Sequence, residues 1–363
     1  MLWLAGLMGM MVLGSFAVLG TQGSEDEGAP DDSAGDDSLP DDALLDDDLL
    51  DDDLFLGLFD SLPEDPGGDD PLSDSQSVTA PEQAASDNAA AASPEGGLVA
   101  EGSQGADTLI GTPQTDLLGG SSGDDLLDGQ GADDVLSGGD GADTVLGGNG
   151  NDTLHGGDGA DVLLGAAGAD KLFAHDGGGL LDGGAGADSL QGGLGDDSLI
   201  GGDGDDALHG REGSDTLRGG AGSDTLFGGW GDDLLSGRDG GGGDTLDFLN
   251  GGDGDDLMHI GAGDYATGGE GADDFLLGPQ KQGDPSAVLM DFDPAEDQVM
   301  IVYDDSTGAA IPEVSLRPSI LQDGTTEIVV DGEVYAVMPT ADAPAIESIV
   351  LLGESAAALL PAG

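Results

Sequence analysis

A nine-residue period runs from Gly102 to Ser236, and it limits the fold more than any other feature of the chain. The segment divides into fifteen consecutive blocks with no insertion between them. Two neighbouring blocks read Gly-Gly-Asp-Gly-Ala-Asp-Thr-Val-Leu (138–146) and Gly-Gly-Asn-Gly-Asn-Asp-Thr-Leu-His (147–155). So strict a period indicates one small structural unit repeated many times, as in a solenoid.

Four positions of the block carry the pattern. The first is Gly in every block except at Ala174, and the fourth is Gly except at Gln114 and Ala132. The sixth is Asp except at Gly179, and the eighth is always Leu or Val. Glycine suits tight turns because it accepts positive φ and close approach of another backbone.

The apolar eighth residue predicts a short strand in each block. In a run such as Thr144-Val145-Leu146, the middle side chain points to one face of the sheet and its neighbours point to the other. Two blocks then give strand, turn, strand and turn, which is one coil of a parallel β-roll. We expect about seven such coils from the fifteen blocks, stacked about 4.8 Å apart, with Leu109 to Leu235 filling a thin core.

The charge of the chain excludes several classes of function. There are 76 acidic residues against 6 basic ones, a formal net charge of -70, and 71 glycines. A compact state with this charge repels itself, so we expect a cation from solution to take part in folding. Nucleic acid is excluded as a partner because its phosphates would be repelled. With no cysteine, the chain has neither disulfides nor thiolate metal sites.

The Asp of the sixth position is the candidate metal ligand. Alternate blocks place these residues on the two turn edges of the roll, where rows of carboxylates need a dication. Calcium takes six to eight oxygen ligands, whereas zinc requires His or Cys, and the four His are expected to lie apart. The predicted calcium ligands are Asp107, Asp116, Asp125, Asp134, Asp143, Asp152, Asp161, Asp170, Asp188, Asp197, Asp206, Asp215, Asp224, Asp233, Asp256 and Asp273.

These blocks resemble the hemolysin-type, or RTX, calcium-binding nonapeptide repeat, and the resemblance extends from Gly102 to about Leu277. It implies a parallel β-roll with calcium in the turns, folding triggered by calcium outside the cell, and export by type I secretion through an uncleaved C-terminal signal. Gly179 departs from the pattern, so we expect a defective site between Ala174 and Asp182.

The N-terminal region has a different character. Met1 to Gly20 has no charged side chain and is long enough to cross a bilayer, so a membrane anchor and a signal peptide both remain open. Such a segment is unusual for a type I substrate, and it leaves the export route open. Residues 21–101 are acidic and rich in proline, which predicts a disordered linker.

Beyond Ser236 the register slips at Gly240–Gly243, and we expect the roll domain to extend over 102–279. Residues 280–363 predict a β-rich capping or secretion region. Asp331-Gly332 between two apolar runs predicts a type I′ hairpin. The predicted strands of this region are Ala287–Phe292, Gln298–Tyr303, Thr326–Val330, Glu333–Met338 and Ile346–Leu352.

No catalytic constellation accompanies the repeats. The G-x-S-x-G match at 119–123 lies inside the repeat array rather than at a strand-to-helix elbow, and there is no H-E-x-x-H. We therefore expect an all-β protein without enzymatic activity that binds calcium ions and folds on binding them. The alternative is a structural or adhesive surface protein whose calcium-rigidified roll is a spacer on a membrane anchor. A secreted hydrolase is the third reading.

Overall fold

A computed structural model describes residues 89–92, 96–238, 245–305 and 311–360 of the chain. All of them lie in the compact unit Ala80–Gly363. Met1–Gly20 and residues 21–88 of the predicted linker lie outside the described residues. Within the described part, no helix has the length and apolar character needed to span a membrane.

The described chain is almost entirely β-structure, as the sequence predicts. In chain order the first strands are β1 (Ala89–Ala92), β2 (Leu98–Glu101), β3 (Thr108–Ile110), β4 (Leu117–Ser122), β5 (Leu126–Gly131), β6 (Val135–Asp140), β7 (Thr144–Asn149), β8 (Thr153–Asp158), β9 (Val162–Ala167), β10 (Lys171–Asp176), β11 (Leu180–Ala185), β12 (Ser189–Leu194) and β13 (Ser198–Asp203). They continue as β14 (Ala207–Glu212), β15 (Thr216–Ala221), β16 (Thr225–Trp230), β17 (Leu234–Ser236), β18 (Phe248–Asp253), β19 (Leu257–Ile260), β20 (Tyr265–Glu270), β21 (Asp274–Leu277), β22 (Ala287–Leu289), β23 (Gln298–Tyr303), β24 (Val314–Pro318), β25 (Thr325–Val330), β26 (Glu333–Pro339) and β27 (Val350–Gly353). A 3₁₀ turn (Ile346–Ser348) and a short helix, α1 (Glu354–Ala357), complete the set.

Successive strands alternate between two sheets and form a parallel β-roll of about ten coils. The even-numbered strands from β2 to β22 pair in parallel in one sheet, and the odd-numbered strands from β3 to β23 do so in the other. The register advances by one coil of two blocks, so that Leu154 on β8 pairs with Leu136 on β6 and with Leu172 on β10. The roll is longer than seven coils because strands after Ser236 continue the stack.

The strands are longer than the three residues predicted. A regular strand such as β7 contains six residues and includes the two glycines that open the next block. Only the fourth to sixth residues of a block then remain to form the turn. The two glycines can join the strand because pairing with the next coil uses only backbone N–H and C=O groups.

The core is a single aliphatic ladder, as predicted. The side chains of the eighth position, from Leu109 to Leu235, are 0–2 % exposed and stack along both sheets. Burying each such side chain contributes about 1.5–3 kcal/mol. From Gly120 onward the glycine at the first position is also buried, and a Cβ added there would clash with the sixth-position carboxylate of the same block.

The roll begins before the nine-residue period does. β2 pairs in parallel with β4, and β1 pairs antiparallel with β2, so the end of the predicted linker is part of the first sheet. Ala100 pairs with Leu118 and is 2 % exposed. This short apolar run therefore extends the ladder by one step, although its block in register, 93–101, has Ser at the first position and Leu98 at the sixth.

The C-terminal region continues both sheets and then closes one of them with an antiparallel hairpin. β25 and β26 pair through Asp331 and Gly332, whose φ angles of 49° and 94° confirm the predicted turn. Two predicted strands are wrong in extent. The first ends at Leu289, after which Phe292 turns inward and packs edge-on against Phe275, at a centroid distance of 5.6 Å. The last begins only at Val350, because the 3₁₀ turn occupies Ile346–Ser348.

Candidate functional site

The sixth residue of every regular block points its carboxylate into the roll, where it is almost fully buried. The side chains form two rows, one at each turn edge. The first row contains Asp107, Asp125, Asp143, Asp161, Asp197, Asp215, Asp233, Asp256 and Asp273 and ends at Asp297. The second row contains Asp116, Asp134, Asp152, Asp170, Asp188, Asp206, Asp224, Asp247 and Asp264.

One oxygen of each carboxylate joins neighbouring coils. Oδ1 of Asp143 accepts a hydrogen bond from the backbone N–H of Asp125, one coil earlier, at 2.7 Å. The same bond recurs between Asp188 and Asp206 at 2.8 Å. A buried N–H requires an acceptor, so this oxygen contributes to the stacking of the coils.

In most of the row residues the other oxygen, Oδ2, has no hydrogen-bond donor, although that of Asp107 accepts from the N–H of Ser103 at 2.5 Å. Within the described residues, Oδ2 is buried without a hydrogen-bond partner in Asp125, Asp134, Asp143, Asp152, Asp161, Asp170, Asp188, Asp197, Asp206, Asp215, Asp233, Asp256 and Asp273. A buried charged group without a partner is strongly destabilising. The repetition of the same orphaned atom in nearly every coil indicates that these oxygens face a common ligand.

The glycine of the first position provides space for this oxygen. A Cβ added to Gly192 would lie 2.5 Å from Oδ2 of Asp197 and 2.5 Å from the carbonyl oxygen of Gly210 in the next coil. Both distances are too short for a side chain. Carboxylate and backbone oxygens therefore border the same small space, and it contains no donor from the protein.

Burial raises the pKa of many of the row carboxylates, among them Asp206 and Asp256, and the neighbouring carboxylates raise it further. The pKa of Asp206 rises to about 7 and that of Asp256 to about 8, from an ordinary value of 3.8. Hydrogen bonds from the backbone oppose this effect without cancelling it. Near neutral pH the rows therefore bind positive charge, either as protons or as cations.

This donor set fits calcium. Within the described residues, no three acidic, His or Cys side chains converge on one point. The site consists of oxygens from single carboxylates and backbone carbonyls, which are calcium ligands, and it lacks the nitrogen and sulfur ligands that zinc requires. The residues that could hold calcium are the row Asp residues together with the backbone carbonyls of first-position glycines such as Gly210.

The His residues do not contribute to the rows. The prediction that they lie apart is wrong for one pair: Nδ1 of His155 lies 2.9 Å from Nε2 of His175, and the two rings are stacked. They meet because the ninth and second positions of adjacent coils both point outward from the same sheet. Phe173 packs against both rings.

A second set of acids lies on the outside of the turns, at the fifth position. Oδ1 of Asp124 accepts a hydrogen bond from the N–H of Ala142 at 3.0 Å, and Oδ1 of Asp205 accepts from Ser223 at 2.9 Å. Each fifth-position carboxylate accepts from an N–H one coil later in the chain, whereas each sixth-position carboxylate accepts from an N–H one coil earlier. These exposed carboxylates stabilise the stacking of the turns from the solvent side.

Two carboxylates of the second row were not among the sequence-predicted ligands. Asp247 and Asp264 are both fully buried and follow the insertion that shifts the register. Each precedes a variable residue, an apolar residue, a variable residue and Gly-Gly, which is the pattern that follows the sixth position elsewhere. That local pattern identifies them where the fixed period does not.

The sequence matches the family model of the RTX calcium-binding nonapeptide repeat. The matched stretches are 101–136, 119–154, 137–172, 146–181, 182–217, 209–246 and 242–266. A separate comparison with curated proteins found no match. Among solved structures it is similar to the AlgE6R3 subunit of the Azotobacter vinelandii mannuronan C5-epimerase, with 22% identity over 49% of this chain and 83% of the subunit and a TM-score of 0.20. The protein carries RTX calcium-binding nonapeptide repeats over residues 101–266, and it binds several calcium ions through them.

Proposed function

We propose that this protein is an extracellular β-roll that folds when calcium binds to its two rows of Asp residues. The observation that carries the proposal is the buried Oδ2 atom without a hydrogen-bond partner that recurs from coil to coil. The proposed ligands are the sixteen sequence-predicted Asp residues together with Asp247 and Asp264. The proposed roll domain is 102–279, and residues 280–363 are the proposed cap and secretion region.

Folding and binding are coupled because the same carboxylates act in both. In the unfolded chain each Asp is hydrated and separated from its neighbours. In the roll, Asp206 is 3 % exposed and lies between Asp188 and Asp224 of its row. Bound calcium supplies the positive charge that balances these oxygens. A ligand that binds only the folded state stabilises it in proportion to the logarithm of its free concentration.

Circular dichroism of the full chain during calcium titration tests this proposal. We expect a cooperative change from coil to β-structure with calcium and none with magnesium at the same concentration, since magnesium prefers strict octahedral geometry and retains its water. Sodium chloride at matched ionic strength is the control for general screening. Equal folding in magnesium, or no response to calcium, would refute the proposal.

A second function is favoured by the continuity of the two sheets along the whole roll. Such a roll could serve as a calcium-rigidified spacer of a structural or adhesive surface protein, held by residues 1–20. Secretion, by a type I or another route, is the competing proposal for the same segment. N-terminal mass spectrometry of the mature protein separates them: retention of Met1–Gly20 in a membrane fraction supports the spacer, and its absence from soluble protein outside the cell supports secretion.

A further inference from the structure

One block of the repeat departs from the pattern at two positions at once. Ala174 is the only first-position residue of the fifteen blocks that is not Gly, and Gly179 is the only sixth-position residue that is not Asp. Both exceptions fall in the block 174–182. Their coincidence indicates that the two positions depend on each other.

The geometry of the regular blocks explains this dependence. A Cβ added to Gly192 would lie 2.5 Å from Oδ2 of Asp197, and one added to Gly183 would lie 2.5 Å from Oδ2 of Asp188. A methyl group at the first position and a carboxylate at the sixth therefore exclude each other. Ala174 is 2 % exposed, and its methyl group lies in the part of the coil that the carboxylate occupies elsewhere.

The coil nevertheless stacks normally on its neighbours. The N–H of Gly179 donates to Oδ1 of Asp197 at 2.5 Å, and the N–H of Ser198 donates to the carbonyl of Gly179 at 2.9 Å. A Cβ on Gly179 would lie 2.9 Å from Cβ of Ala174 and 3.1 Å from Cδ1 of Leu181. The two nearest groups are therefore apolar, with Oδ1 of Asp197 next at 3.3 Å, and the fold continues without the carboxylate.

The interruption affects only one of the two rows. On the opposite edge, the N–H of Asp152 donates to Oδ1 of Asp170, and the N–H of Asp170 donates to Oδ1 of Asp188, both at 2.7 Å. The second row therefore runs past the block without a gap. In the first row, Asp161 is followed by Gly179, which has neither carboxylate oxygen.

We propose that Ala174 and Gly179 form an apolar plug that excludes calcium from this coil and divides the first row into two arrays. One array ends at Asp161 and the other begins at Asp197. The inference rests on the proposed calcium ligands. It assigns the missing site to a matched pair of residues, in which the methyl group blocks the position even if the carboxylate is restored.

Four chains test the plug: the natural chain, Gly179→Asp, Ala174→Gly, and the double variant. Calcium bound per chain is measured by equilibrium dialysis and elemental analysis at saturation, with circular dichroism to monitor folding. We expect the double variant to bind at least one more calcium ion than the natural chain. Gly179→Asp alone should bind no additional calcium and should require more calcium to fold, because its carboxylate meets the methyl group. Ala174→Gly alone should leave the number unchanged.

A transplanted plug is the matched control. A Cβ on Gly147 would lie 2.5 Å from Oδ2 of Asp152, so Gly147→Ala with Asp152→Gly reproduces the pair in the uninterrupted row. This variant should fold and bind at least one calcium ion fewer.

Three results would overturn the inference: a gain of calcium in Gly179→Asp equal to that in the double variant, no gain in the double variant, or no loss in the transplant. Calcium binding by the natural chain distinguishes these results from failure of the proposed function. If the natural chain binds no calcium at all, the proposed function itself is refuted.

Discussion

Replacing Asp206 by Asn should change the stability of the roll in opposite directions with and without calcium. Asn keeps the size of the side chain and an oxygen that can accept from the N–H of Asp188, but it removes the charge. Without calcium, the natural carboxylate is buried and its Oδ2 has no hydrogen-bond partner. The substitution then removes a destabilising group. With calcium, the same substitution removes a ligand.

The magnitude follows from the raised pKa of Asp206, from 3.8 to about 7. At 1.36 kcal/mol per pH unit, the ionised carboxylate destabilises the calcium-free roll by on the order of 4 kcal/mol above pH 7. In calcium the sign reverses, since removing one partner of a buried charge pair is destabilising by about 3–5 kcal/mol.

The control is Asp205→Asn, which changes the net charge equally. Asp205 is exposed on the outside of the turn, so its replacement should alter stability by less than about 0.5 kcal/mol in either condition. The calcium-free measurement titrates trimethylamine N-oxide in the presence of a chelator at pH 8, because this osmolyte strengthens burial without supplying a cation. We expect Asp206→Asn to fold at a lower osmolyte concentration than the natural chain, and at a higher calcium concentration. Shifts of the same sign in both titrations, or an equal effect of Asp205→Asn, would refute the reasoning.

Three further predictions concern the core, the pH response and the C-terminal hairpin. Leu163→Ala should lower the free energy of unfolding in saturating calcium by about 2.7–5 kcal/mol in urea denaturation, because Leu163 is fully buried; Leu194→Ala, at a 46 % exposed position, should leave it nearly unchanged. In the calcium-free chain, acidification from pH 8 to pH 5 should increase the β-structure seen by circular dichroism. Carboxylates with a raised pKa make the folded state bind more protons than the unfolded state, so stability lost above that pKa returns as the pH falls. A flat response would contradict the burial of the rows. Arg317→Met should increase hydrogen exchange over 325–339, because Glu327 is 3 % exposed and loses the hydrogen bond that it accepts from Nε of Arg317 at 2.7 Å. Adding Glu327→Gln should restore most of the protection. A double variant as unprotected as the single one would exclude an uncompensated charge as the cause.

The sequence predicts the coil well because each position of the block has a single physical role. The eighth residue must be apolar to enter the core, and Leu154 accordingly stacks between Leu136 and Leu172. The sixth residue alternates between two edges because two blocks make one coil. This relation holds even across the insertion, where the backbone N–H of Asp224 donates to Oδ1 of Asp247 at a separation of 23 residues instead of 18.

Other features escape the pattern for physical reasons. The length of the strands is hidden because Gly has a low intrinsic preference for strands, and here it joins them only through its backbone. β24 is an edge strand that ends at Pro318, and proline usually indicates the absence of a strand. The inward direction of the carboxylates is also absent from the sequence, since an acidic residue beside a turn is normally solvated.

The stacking of the coils also determines how the roll would respond to tension. Strands lie one per layer in each sheet, so a force pulling on the two ends acts on the layers in series. The layer at the end yields first, and its neighbours keep their bonds until they in turn become the end. Each detached coil of 18 residues would lengthen the chain by about 60 Å, since an extended residue spans roughly 3.3–3.6 Å. Extension through the regular coils would proceed in equal steps, and the calcium bound to the rows would set the force of each step.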